Sequence, residues 1–495
     1  MVPATTTAAG SGRYRRRRPG RSALVRLIDA EYEPMLAEAE AEGRGYPAFV
    51  RKEFERILDC GRLARGFSRL VCRDCGHNQL LAFSCKGRLC PSCANRRMEQ
   101  TALFLDSRLL PQVPYRQWTL SLPWRIRWQV GSDAKVLGAA LTVMLRSVFA
   151  WQRRTARRAG IAKPQCASVT FIHRFNSQLL LSPHYHAIVA DGVFVVGDDG
   201  ALRFEPLPPP SDDEVSQLLR RIGRRIEALV QRRSDEAIDD DDPDALQTSL
   251  AEAAEAPRRS PWHVHTTTAA TKRPRCCALD GYSLHADVAV AAEDRRGLRR
   301  LLRYGARAAL AARRVSLSPD GMVVYKLRKV TATGKTQLVM TPRTFMRRLA
   351  ALIPPPWVNG TRFHGAFASA SRHRSAIAAA VAQQRDPAND PFTCPPLRRH
   401  RPADGDDAST DAPPPPRHIR VAWSELLRRS FDIDDPLACP RCHGRMLLVA
   451  VIKDPDAIAA ILAHPAHRDD EPDTGPDPPQ LKLDLEPQRE LFESA

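Results

Sequence analysis

Six of the chain's twelve cysteines fall between Cys60 and Cys93. Two pairs among them, Cys72-x-x-Cys75 and Cys90-x-x-Cys93, set the strongest limit on how this part can fold. One C-x-x-C turn offers two thiolates from a single knuckle, and two knuckles close a tetrahedral Zn²⁺ site with no open position. The fourteen residues between the pairs suffice for a short hairpin. Such a site is structural, and its expected use is to present Lys86, Arg88, Arg96 and Arg97 to DNA. Cys60, Cys85 and His77 are left over as three ligands of a second site.

The other cysteines are the adjacent Cys276 and Cys277, the pair Cys439-x-x-Cys442, and the isolated Cys166 and Cys394, too uneven for a disulfide scaffold. The run Arg15 to Arg18 leads into ALVRLIDAEYEPML, which charge interrupts, so it does not read as a secretory signal. A reducing cytoplasm is expected, where close cysteine pairs hold metal more readily than each other. With no uninterrupted apolar run of about 18 residues, no membrane partner is expected. Lys and Arg number 75 against 56 Asp and Glu, a net charge of +19, which points to nucleic acid as partner.

A length of 495 residues suggests several units. Residues 1–22 read as a disordered basic arm, 23–110 as a helical and zinc-binding DNA-binding domain, and 111–375 as the main α+β domain. Within the last, 234–261 contains the run Asp239 to Asp242 and few large apolar residues, which suggests a solvated insert. Residues 376–418 read as a Pro-rich linker, 419–464 as a small module with the Cys439 knuckle, and 465–495 as an acidic disordered tail.

Two further patterns carry chemistry. In His184-Tyr185-His186 on a strand, both imidazoles share one face and Tyr185 packs on the other, giving two nitrogen ligands for a divalent ion. In a helix starting near Asp294, residues three and four apart place Arg300, Tyr304 and Arg307 in one row. A phenol between guanidinium groups suits a phosphodiester, because arginine grips phosphate oxygens by charge-assisted hydrogen bonds. VVYKLRKVTATGKTQLVM has the pattern of a hairpin turned at Thr333-Gly334.

Taken in order, the cysteine cluster, RQWTLSLPWRIR, TFIHRF, HYHAIVADGVF, SLHADVAV, LLRYGARAALAARR and FMRRLAALIPPPWVNGTRFHG resemble the insertion sequence 91 family of transposases over roughly residues 50–375. LACPRCHGRM resembles that family's C-terminal end. The resemblance implies an HUH-type antiparallel sheet with flanking helices, His184 and His186 as ligands of a catalytic Mg²⁺ or Mn²⁺, and Tyr304 as nucleophile. A third ligand is either His173 or His285, with His173 favoured by its short connection through Asn176-Ser177. Three positions depart from the family pattern. Arg300 stands where some members carry a second tyrosine, Arg307-Ala308-Ala309 replaces Arg-Pro-Pro, and His173 replaces Gln.

The implied activity is that of a one-tyrosine enzyme, which nicks and transfers single-stranded DNA by a rolling-circle route through a 5′-phosphotyrosine. Its place would be the bacterial cytoplasm, at the nucleoid. A plasmid replication initiator or relaxase would share this chemistry, and a zinc-ribbon DNA-binding protein would need none of it.

Overall fold

The computed structural model describes residues 19–197, 201–236, 245–255, 269–270, 273–328, 330–331, 334–356, 358–384, 423–431 and 435–464. Most of the basic arm, the run Asp239 to Asp242, Cys394 and the acidic tail lie outside the described residues.

Helices α1 (Ala23–Ala41) and α2 (Ala48–Asp59) lead into a hairpin of β1 (Phe67–Cys72) and β2 (Asn78–Ala82). Helix α3 (Pro91–Phe104) begins with Pro91 at its first position, where the missing N–H costs nothing, and runs into a π-turn at Leu105–Leu109. Then come β3 (Tyr115–Ser121), α4 (Arg127–Ser132) and α5 (Ala134–Arg158), whose cap Asp133 accepts hydrogen bonds from the N–H groups of Lys135 and Val136. Strands β4 (Ala167–Phe175) and β5 (Leu181–Ala190) precede the small hairpin β6 (Gly192–Val196) and β7 (Leu202–Pro206).

Helices α6 (Asp212–Glu236) and α7 (Ala245–Glu255) are followed by β8 (Ala269–Ala270), β9 (Cys276–Leu279), β10 (Tyr282–His285) and β11 (Ala289–Val290). Helix α8 (Arg295–Gly305) is capped by Asp294, which accepts a hydrogen bond from Gly297 N–H at 2.7 Å. Strands β12 (Val315–Leu317), β13 (Val323–Lys326) and β14 (Gln337–Met340) form a meander, with Gly334 at φ +77° in the β13–β14 connection, as the hairpin pattern predicts. Helix α9 (Pro342–Leu352), β15 (Thr361–Gly365), α10 (Arg374–Gln383), α11 (Trp423–Phe431), β16 (Met446–Ile452) and α12 (Pro455–Ala463) complete the order.

The main sheet runs β15-β4-β5-β3-β10-β9-β8, with β11 also on β3, and every pairing in it is antiparallel. Alternation divides its two faces. Trp118, Leu120, Tyr185, Ala187, Val189 and Leu284 pack against α5 and α6. Tyr115, Val169, Phe171, Ile188 and Ala190 pack against the π-turn, α8 and α10. Helix α5 is long and apolar enough to cross a membrane by composition, but its apolar positions fill the first of these cores. A third core joins α1 and α2 to the β12–β14 meander, α7 and α9.

Three features correct the sequence reading. The insert 234–261 is not all solvated linker, because α7 lies within it and buries Leu246, Leu250 and Ala253 in the third core, with Tyr46 and Ser249 hydrogen-bonded at 3.0 Å. Folded structure continues past residue 375 through α10. The 419–464 segment is not a separate module, since β16 pairs with β1 to extend the N-terminal hairpin into a three-stranded sheet.

Candidate catalytic site and cysteine centres

The face of the main sheet that carries His184 and His186 is the one beneath α8. Register supplies the third histidine, because His173 on β4 lies directly across from His184 and Phe171 across from His186. The ring centroids of His173, His184 and His186 are 4.7–5.1 Å apart, and one nitrogen from each ring falls within 4.8 Å of the others. Tyr185 points through the sheet, and its hydroxyl donates to Leu137 O at 2.9 Å. His285 is not brought to this group. It sits on the same face but on β10, two strands from β5, and its Nδ1 lies 3.1 Å from Cys276 Sγ.

Hydrogen bonds orient each ring. A carbonyl can only accept, so His184 Nδ1–H donates to Ser182 O at 2.7 Å and leaves Nε2 with its lone pair. By the same logic His173 Nε2–H donates to Gly305 O at 2.7 Å and leaves Nδ1. Gln117 Nε2 and Thr119 Oγ1 lie 2.8 and 3.2 Å from His186 Nδ1. Burial holds His184 down to about 4, against its bond to Ser182, with Arg307 and Arg127 adding to the shift. Burial also holds His173 and His186 well below the ordinary imidazole range, with neighbouring imidazoles and then Arg307 contributing. Three neutral imidazoles fixed by outer partners form a donor set that fits a divalent cation.

Tyr304 is in the last turn of α8, its ring centroid 5.4 Å from that of His186 and 6.3 Å from that of His173. Arg307 places its guanidinium carbon 4.0 Å from the Tyr304 ring centroid. The expected helical row of Arg300, Tyr304 and Arg307 is not what achieves this, because α8 stops at Gly305 and Arg307 folds back from the chain beyond. Leu298, Leu301 and Leu302 belong to the core under α8, whereas Leu310 belongs to the third core, and one straight helix could not serve both.

The end of α8 sits very close to the sheet. A Cβ at position 305 would lie 2.1 Å from Phe171 Cδ2, so only glycine lets its carbonyl reach His173. The alternating polar pair Gln117 and Thr119, on a strand that turns Trp118 and Leu120 to its other face, was the available sequence signal for the residues that orient His186. The carbonyl of Gly305 leaves no such signal.

The cysteines divide differently from the expected set of Cys72, Cys75, Cys90 and Cys93. One group is Cys60, Cys85, Cys90 and Cys93, and the other is Cys72, Cys75, Cys439 and Cys442. The hairpin explains the division. Cys72 and Cys75 are at its tip, while Cys60 and Cys85 flank its base, where Gly61 N–H bonds Phe83 O and Cys85 N–H points at Cys60 Sγ. Strands of five and six residues separate tip from base by roughly 17 Å, too far for one ion. His77 belongs to neither group; its carbonyl accepts from Cys72 N–H at 2.9 Å.

In the first group the sulfur separations of 3.8, 3.5 and 3.6 Å match the edge of a tetrahedron with Zn–S bonds of about 2.3 Å. Buried Glu53 fixes the loop that carries Cys85 and Cys90 by accepting the N–H groups of Arg88 and Leu89. Of the basic residues expected to face DNA, Lys86 is exposed, Arg96 is partly so, and Arg88 and Arg97 each bond a main-chain carbonyl, Val358 O and Lys86 O.

Two family models match parts of the chain. Residues 31–122 match a family model described as "Transposase zinc-binding domain", of the insertion sequence 91 type, and residues 168–375 match one described as "Putative transposase". The chain belongs to the insertion sequence 91 family of transposases. No curated protein and no solved structure gives a match. Membership makes DNA the partner of this transposase, and with the two cysteine groups it makes structural Zn²⁺ a cofactor. The resemblance covers both the cysteine-rich module and the part that holds His173, His184, His186 and Tyr304.

Proposed function

We propose that this transposase nicks single-stranded DNA at the ends of its element with Tyr304 and transfers the strand by a rolling-circle route. The observation that carries the reading is the convergence of three neutral imidazoles, one phenol and one guanidinium at the C-terminal end of α8.

Tyr304 Oη attacks the scissile phosphorus, the Oη–P bond forms as the P–O3′ bond breaks, and the phenolic proton passes to solvent while the departing 3′ oxygen takes one up. Arg307, over the ring, is placed to hold the phosphate oxygens during that exchange. A divalent ion held by His173, His184 and His186 would polarise the phosphate and stabilise charge on the departing oxygen. Three nitrogens without a carboxylate suit Mn²⁺ better than Mg²⁺, which prefers oxygen ligands. The bond energy is kept in the 5′-phosphotyrosine, so attack by a free 3′-hydroxyl rejoins the strand without nucleotide hydrolysis. Tyr304 is the one phenol on α8, with Arg300 a turn earlier, which favours a single-tyrosine scheme.

Incubation with single-stranded element-end DNA and Mn²⁺, followed by a denaturing gel, should show a covalent adduct that excess 3′-hydroxyl DNA resolves. Tyr304→Phe should abolish the adduct and leave zinc content and DNA affinity unchanged. A 5′-linked adduct in Tyr304→Phe would refute the assignment.

A further inference from the structure

The second cysteine group takes half of its ligands from each end of the chain. Cys72 Sγ lies 3.5 Å from Cys442 Sγ, and Cys75 Sγ lies 3.5 Å from Cys439 Sγ, across sequence separations of 370 and 364 residues. Those spacings are far longer than a disulfide and close to the sulfur–sulfur edge of a zinc tetrathiolate, about 3.8 Å.

The two knuckles have the same backbone. In Cys72-Arg-Asp-Cys75-Gly76-His77, Gly76 N–H returns to Cys72 O, Cys72 N–H bonds His77 O, and Gly76 has φ +69°. In Cys439-Pro-Arg-Cys442-His443-Gly444, His443 N–H returns to Cys439 O, Cys439 N–H bonds Gly444 O, and His443 has φ +62°. A left-handed residue right after the second cysteine turns both thiols of a knuckle to one side. At His443 a non-glycine residue accepts that conformation, which the rest of the loop must stabilise. The knuckles also interlock, since a Cβ at Gly444 would overlap the carboxylate of Asp74.

Behind the cysteines, β16 pairs with β1 from Cys72↔Met446 to Phe67↔Ile452. Met446 and Cys439 bury against Leu70, Cys72 and Leu81, and Ile458 of α12 buries against Leu63, Phe67 and Leu80. Neither knuckle supplies the four thiolates of this second site alone.

We propose that Cys72, Cys75, Cys439 and Cys442 bind one Zn²⁺ that clasps the C-terminal segment to the N-terminal hairpin, so that a zinc ribbon is assembled in cis from both ends of the chain around the catalytic sheet. The clasp is independent of the Tyr304 reading. It has a consequence for α11, which packs Leu426 on Leu103 of α3 and brings Arg429 near Glu99. Docking of the C-terminus thereby adds a layer to the helix that also contacts α8. This site is also the more open of the two, because Cys75 and Cys442 are exposed whereas Cys60, Cys90 and Cys93 are buried.

The test uses the full chain. Elemental analysis should find two zinc ions per monomer, falling to one in the double variant Cys439→Ser/Cys442→Ser. Hydrogen exchange at β16, and at the β1 amides facing it, should then quicken roughly tenfold or more while β3, β4 and β5 stay protected. A chelator titration of the wild-type protein should release one zinc first, together with protection of β16, and so tests the clasp even if the variant misfolds. One zinc per wild-type chain would overturn the proposal, as would β16 protection that survives loss of the ion. A dimer that dissociates when the first zinc leaves would overturn closure in cis, because the knuckle would then come from a second copy.

Discussion

Gly305→Ala tests the coupling between α8, which carries the proposed nucleophile Tyr304, and the histidines most sharply. The added Cβ would fall 2.1 Å from Phe171 Cδ2, about 1.3 Å short of the 3.4 Å at which ordinary contact begins. Phe171 is buried under the sheet's inner face and has no free end to swing away. The end of α8 must therefore lift by about 1 Å, which breaks the 2.7 Å bond from His173 Nε2–H to Gly305 O and moves Tyr304 off the imidazole group.

Overpacking of this size costs about 1–3 kcal/mol, and a misplacement of 1 Å near reacting atoms costs on the order of 10²-fold in rate. Single-turnover adduct formation should fall by about that factor and Tm by several degrees, with zinc content unchanged. Phe171→Leu in the same chain should restore part of both losses by making room. A Gly305→Ala protein with wild-type Tm and wild-type adduct rate would refute the close-approach argument.

Four other outcomes are expected. His173→Ala should lower Mn²⁺ affinity at least tenfold by titration calorimetry whereas His285→Ala should leave it unchanged, because only His173 shares the cluster. Gln117→Ala should weaken Mn²⁺ binding by about 10–100-fold with little change in Tm, and an unchanged affinity would show that His186 needs no such partner. Leu250→Asp, which places a carboxylate in the third core, should destabilise the chain by about 3 kcal/mol or more on thermal unfolding. Deletion of Asp239 to Asp242 should by contrast leave both Tm and nicking intact.

The face that carries the histidines was legible because its grouping depends on short-range rules. Alternation alone puts His184 and His186 together and Tyr185 behind them, and the turn at Asn176-Ser177 leaves little freedom for pairing β4 with β5. His285 obeys the same alternation, yet sequence cannot tell which strand lies next to β5; that order arises from β3 coming between β5 and β10. The cysteines failed for a related reason. Spacing within 72–93 looks sufficient for one site, and nothing local says that a hairpin will hold the two pairs at opposite ends or that Cys439 and Cys442 will arrive from the far end of the chain. Helix α7 was hidden by composition, since its few apolar residues are flanked by an acidic run. The Ala- and Arg-rich stretch after Gly305 has high helix propensity, but burial of Leu310 in another core overrides it.

The cysteine-rich module and Tyr304 are physically joined, and the join is α3. Its first turn carries Cys93 of the inner cysteine group, with Cys90 just before it, and its length carries buried Glu99, with buried Asp106 in the π-turn that follows. Those two carboxylates meet three arginines at four-residue spacing on α8: Glu99 pairs with Arg303, and Asp106 pairs with both Arg299 and Arg295. Arg295 also donates to the carbonyls of Asp106, Leu110 and Pro111. Breaking one partner of such a pair leaves a buried charge unmatched, so α3 and α8 resist moving separately. Tyr304 lies on a different face of α8 from this arginine row, turned to the histidines. The four-cysteine centre that starts α3 is therefore a fixed end for the helix that carries Tyr304, so under the proposed chemistry a closed structural zinc site also has a mechanical role in placing the phenol.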